Sequence, residues 1–128
     1  MSNANVREIV KAALEAEGVR DALVSVAFVG TGTISRLNRD YVSRSGPTDV
    51  IAFGLERGGS TPVIGDIYIC PRVAERNARR LRISLKRELA RLVVHGTLHV
   101  LGLDHPEDDT RVSSAMWRKQ ERILDSID

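Results

Sequence analysis

Cysteine is almost missing from this chain. The single one, Cys70, leaves no internal disulfide and suits a reducing compartment. It reads as a small buried hydrophobe at a strand end. Long apolar runs are missing as well: none approaches the roughly 20 residues that cross a bilayer, so no membrane partner is expected. The opening residues, MSNANVREIV, lack the apolar core of a secretory signal, which makes the cytoplasm the expected location. Aromatic residues are only 4% of the chain. Phe28, Tyr41, Phe53, Tyr68 and Trp117 mostly fit core positions in strands or helices, which argues against an extended base-stacking platform. Repeats, low-complexity tracts and linkers are absent, so residues 1–128 read as a single domain.

The rest of the composition is that of an ordinary soluble globular protein, with 42% hydrophobic and 28% charged residues. A net charge of +2 is too small to select nucleic acid as a partner. Its distribution says more. Between Arg72 and Arg91 basic residues dominate, opposed only by Glu75 and Glu88, whereas the tail from Asp104 onward is net acidic. Such asymmetry either steers an anionic partner or marks a solvated helix face.

Periodicity predicts five helices and three strands. Val6, Ile9, Val10, Ala13 and Leu14 fall at helical spacing over Val6–Glu17, and Gly18 stops that helix. Ala22–Val29, Asp49–Leu55 and Val63–Cys70 read as strands, the last with Gly65 as a possible bulge. Helices are expected over Thr33–Tyr41, from Pro71 to about Leu81, from an N-cap at Ser84 to near Gly102, and over Asp109–Leu124 with acids in its first turn. Segments Ser43–Pro47 and Arg57–Thr61 read as loop and turn. Helices and strands mix without βαβα alternation, so the fold class is α+β, a small mixed sheet packed with about five helices.

All three histidines lie in one stretch, His95-Gly-Thr-Leu-His99-Val-Leu-Gly102-Leu-Asp-His105. His95 and His99 are one helical turn apart on the same face and can share a metal. A straight helix would carry His105 away from them. Gly102 lets the chain leave the helix with positive φ and turn back, which brings His105 to the same point from another side. Three imidazoles with a fourth position open are the pattern of a catalytic zinc site, because structural sites are closed by four protein ligands. The spacing is also that of the metzincin zinc proteases. Those carry Glu directly after the first histidine as the general base, and Gly96 stands there here.

The run H-G-x-L-H-x-x-G-x-D-H resembles the signature of the YbeY family of bacterial metal-dependent endoribonucleases, also called rRNA maturation factors. Other segments resemble it in the same order: Thr48-Asp-Val-Ile-Ala-Phe53, Gly65-Asp66-Ile67, and Met116 with Glu121, Ile123 and Leu124 in a C-terminal helix. The likeness spans about Leu37 to Leu124. Leu103 and Val100 stand where the family usually has Tyr and Leu. Val42 stands in the place of a functional arginine before the second strand, with Arg39 and Arg44 close by.

The resemblance implies an α+β fold with a three-histidine metal site in a cleft. It also implies hydrolysis of single-stranded RNA, not DNA, in processing or quality control of rRNA, with the ribosome as partner. The expected ligands are His95, His99 and His105, holding one Zn2+ per chain; Ni2+, copper or iron also suit imidazoles. Arg44, with Arg76, Arg79 and Arg80 on a helix face, is expected to hold phosphates. Asp104 either orients an imidazole and handles protons or simply forms a turn. Asp66 bonds either a ligand histidine or a structural partner, and Met116 lies either beneath the metal or in the ordinary core.

Overall fold

A computed structural model of the chain describes residues 1–55, 62–103 and 115–127. The first helix, α1 (Asn3–Ala16), begins a turn earlier than its apolar spacing predicts. Ser2 and Asn5 form a reciprocal cap: the Ser2 hydroxyl accepts from the Asn5 N–H at 3.1 Å, and the Asn5 side chain accepts from the Ser2 N–H at 3.2 Å. Gly18 ends the segment with φ +71°.

Three strands follow the expected spans: β1 (Ala22–Phe28), β2 (Val50–Gly54) and β3 (Val63–Ile69). The sheet order is β1-β3-β2, with β1 parallel and β2 antiparallel to β3. Alternation along β3 turns Val63, Gly65, Ile67 and Ile69 to one buried face. Gly65 pairs in regular register with Val24 and Gly54, so it is not a bulge. A Cβ there would run into the Val100 side chain, so the glycine serves close helix–sheet contact.

Between β1 and β2, α2 (Thr31–Leu37) starts earlier than expected and winds into a wider π-helical turn at Asn38–Val42. Buried Asn38 braces the return by donating to the Gly46 carbonyl at 3.0 Å. Pro71 opens α3 (Pro71–Leu81), where its missing N–H costs nothing. Cys70, fully buried, sits at the junction of β3 and α3. Ser84 caps α4 (Leu85–Val100) through the Arg87 N–H at 3.1 Å. The last helix is α5 (Ala115–Ile127); the expected start near Asp109 and the turn at 57–61 lie outside the described residues.

Helix α4 is the hub. It packs against α1, α3, α5, β2 and β3, and Leu92, Val93, Val94 and Leu98 join Ile67, Ile69, Met116 and Leu124 in the main core. Each such side chain contributes about 1.5–3 kcal/mol by leaving water. The aromatics meet expectation only in part: none of the five is fully buried, while Phe53 and Tyr68 pack against a second cluster formed by Ile34, Ile51 and Cys70. Tyr41 is exposed and meets Phe53 edge-on, Phe53 meets Tyr68, and Phe28 is partly exposed. A core filled by β-branched and aliphatic residues leaves these rings on its margins. Among the described residues no helix is long and apolar enough to cross a membrane.

Candidate metal centre and its cleft

From Glu88 to Val100, α4 is buried except for Arg91, His95 and His99. These three recur every fourth residue, so they form one line along the helix, and that line faces a cavity of about 540 Å³. The His95 and His99 rings have centroids 4.7 Å apart and planes at 72°. Directly beyond them the helix stops. Gly102, at φ +95°, donates to the His99 carbonyl at 2.9 Å, and Leu103 donates to the Leu98 carbonyl at 3.0 Å. This paired closure uses a left-handed glycine to satisfy the last carbonyls and reverse the chain. The reversal is the one expected to return His105 toward the pair. His105 and Asp104 themselves lie outside the described residues. Among the described residues no group of three or more His, Cys, Asp or Glu side chains forms a metal site.

The donor chemistry of the pair fits a transition metal. Two imidazoles one turn apart can supply nitrogen ligands to one centre, and His95 already has its other ring nitrogen engaged: Nδ1 lies 2.5 Å from the Gln120 amide oxygen. Gly96 faces the opposite way, into the sheet. A Cβ there would come within 2.7 Å of Ile67 Cγ2. The glutamate base of a metzincin therefore has no room beside His95, and the peptidase reading loses its base for a packing reason.

Other cavity walls come from α3, α5, β2 and the loop before it. Arg44 and Val42 lie on the wall, as does Arg80 of α3. Arg39 instead pairs with Asp40 at 3.0 Å on the surface. Arg79 is tied to Glu75 at 2.8 Å, also on the surface. Of the arginines expected to hold phosphate, Arg44 and Arg80 therefore line the cavity. Asp66 accepts from Ser25 Oγ across the sheet at 2.5 Å, which is a structural role. Met116 is an ordinary member of the core.

Several residues in the cavity were not singled out from the sequence. Arg91 pairs with Glu121 through two contacts of 2.9 Å and with Glu88 at 2.9 Å. Asn77 donates to Asp49 at 3.0 Å and to Glu88 at 3.3 Å, joining the start of β2 to α3 and α4. Burial raises the Glu88 pKa above its usual value, outweighing the charge and hydrogen bonds of Arg91. Burial opposes the Arg91 charge, yet Glu121 and Glu88 outweigh it and hold the guanidinium above its ordinary range. Trp117 forms another wall, with Arg91 Cζ 5.8 Å from the ring centroid. The available signal was helical spacing: Glu88, Arg91, His95 and His99 are polar residues at i, i+3, i+7 and i+11, a line along one side of the helix. Gln120 likewise interrupts the stripe of Met116, Ile123 and Leu124.

Comparison with known proteins gives a consistent answer. The family model described as Endoribonuclease YbeY matches residues 1–128. Endoribonuclease YbeY of Bacillus subtilis is 39% identical over 94% of this chain and 83% of its own length. The Geobacillus thermodenitrificans protein of the same name is 40% identical over 93% of this chain and 82% of its own. A solution structure of TM1509 from Thermotoga maritima superposes with a TM-score of 0.64 at 31% identity, covering 97% of this chain and 79% of that one. With its whole length matched by the family model and relatives this similar, the chain belongs to the endoribonuclease YbeY family.

Proposed function

We propose that this endoribonuclease hydrolyses phosphodiester bonds of single-stranded RNA with one metal ion per chain, held by His95, His99 and His105. The observation that carries this reading is the pair of imidazoles 4.7 Å apart, opening onto a cavity that Arg44 and Arg80 also line. Zinc suits the nitrogen donor set, with nickel as the alternative. When bound, the metal supplies Lewis acidity toward water and the phosphoryl oxygen.

The chain's own groups do the rest. Arg44 and Arg80 hold the phosphates flanking the scissile bond and place it against the histidines. Asp104, next to His105, orients that ring or carries a proton. RNA maturation on the ribosome, in rRNA processing and quality control, is the proposed setting, with the cytoplasm as location and residues 1–128 acting as one domain.

The test is cleavage of end-labelled RNA by protein stripped with a chelator and then reloaded with zinc or nickel. Single-stranded RNA is cut only after reloading, while a duplex and a DNA of the same sequence are spared. Arg44→Ala raises KM roughly tenfold, the loss of one charge-assisted hydrogen bond. Equal cleavage with and without metal would overturn the reading.

A further inference from the structure

Gln120 is 1% exposed and lies between a histidine and a carboxylate. Its amide has one donor end and one accepting end, and the neighbours decide which faces which. The Nε2 end is 3.0 Å from Glu121 Oε2. Both Glu121 oxygens also take hydrogen bonds from Arg91, at 2.9 Å each, so this group is a carboxylate that only accepts. Turning the amide round would press its oxygen against that carboxylate. The Gln120 oxygen is therefore the atom that faces His95 Nδ1, at 2.5 Å. Because that oxygen cannot donate, the ring nitrogen must.

We propose that Gln120 is a positioning residue for the metal centre: it holds the proton of His95 on Nδ1, leaves Nε2 as the ligand nitrogen, and is itself oriented by the Arg91–Glu121 pair. The same hydrogen bond fixes the ring's rotation. Arg91 also reaches Glu88 at 2.9 Å, so the orientation of a ligand carried by α4 is set through a chain that crosses to α5 and returns to α4. A hydrogen bond to the far nitrogen both selects the tautomer and raises the basicity of the ligating one. The use of this tautomer rests on the metal reading above; its existence does not.

The test therefore has two readouts on the full-length chain. The first is the His95 tautomer in metal-free protein, read from long-range 1H–15N correlations with 15N-labelled histidine at about pH 8, above the imidazole range. The second is zinc affinity, by competition with a chromophoric chelator. Wild type shows His95 protonated at Nδ1. Gln120→Leu releases the ring to the Nε2–H form that unconstrained histidine favours and weakens zinc about 10–100-fold.

The charge-preserving exchange Gln120→Glu with Glu121→Gln keeps an acceptor opposite Nδ1, so it restores the tautomer and most of the affinity. A purely structural role predicts no such rescue. Far-UV circular dichroism checks that each variant is folded. Should Gln120→Leu not fold, the wild-type tautomer and the exchange variant still decide. Wild-type His95 protonated at Nε2, or Gln120→Leu with unchanged tautomer and affinity, overturns the proposal. Wild type with the Nδ1–H tautomer but no zinc binding would leave the hydrogen-bond assignment standing and overturn both the positioning role and the zinc reading on which it rests.

Discussion

Helices α3 and α4 are consecutive, and both carry arginines, yet they use them differently. On α3 only Ala74 and Ala78 are buried, and Arg72, Arg76, Arg79 and Arg80 are all exposed, Arg80 at the cavity wall. The Arg79–Glu75 pair has side chains 80% and 49% exposed. On α4 the Arg91–Glu88 pair is 13% and 4% exposed and has a second carboxylate, Glu121, on its far side. A charge in water is already satisfied, so a partner adds little. A charge taken out of water depends on its partners, and that dependence makes the α4 network able to hold a neighbouring ring in place. The lesson is that the count of arginines says less than where each one is desolvated.

Substitutions along the two helices should separate these regimes, and the largest effect belongs to Arg91. Arg91→Ala leaves Glu88 and Glu121 without their cation and is expected to cost about 3–5 kcal/mol in urea unfolding. A cost below 1 kcal/mol would erase the distinction drawn here. Gly96→Ala comes next. Its new Cβ must displace Ile67, 2.7 Å away, at an expected cost of about 1–3 kcal/mol. An unchanged thermal midpoint would show that α4 does not depend on this close approach.

The pH response of Glu88 sharpens the comparison further. Its folded pKa is raised above the ordinary 4.5, so the native state holds this proton more tightly than the unfolded chain. Its contribution to stability is then fully present below pH 4.5 and is lost as pH rises through the folded value. Denaturant midpoints of wild type and Glu88→Gln, followed across that window, should therefore diverge as pH rises, wild type losing ground. Parallel curves would place Glu88 in ordinary solvent. The smallest effect is expected on α3: Arg79→Ala should change stability by no more than about 0.5 kcal/mol, a shift that a double-mutant cycle with Glu75 can resolve.

Much of the scaffold was legible in the residues because local signals agreed with tertiary packing. Pro71 and Ser84 marked helix starts, Gly18 and Gly102 marked ends, and the strands announced themselves by β-branched runs. The π-helical turn at Asn38–Val42 was not legible, since it depends on Asn38 reaching Gly46 in space. Gly65 left a bulge open in the sequence because glycine in a strand signals either a kink or a close neighbour, and only packing shows that it is the second.

At the site, the i, i+4 spacing of His95 and His99 predicted their shared face, and Gly102 ends the helix as the pattern requires. The roles of Arg91 and Gln120, and that of Glu121 beyond its place in the C-terminal motif, escaped notice because they lie in contacts between α4 and α5, 25 to 30 positions apart in the chain. No rule of local spacing links residues so distant.

The central claim, a three-histidine metal centre that cuts RNA, is tested most directly by measuring metal content and cleavage of a labelled single-stranded RNA on the same preparations of wild type and His99→Ala. The account predicts about one metal per wild-type chain together with cleavage, and the loss of both in the variant. Wild type that cuts RNA while holding no metal, or His99→Ala that keeps both metal and activity, would contradict it.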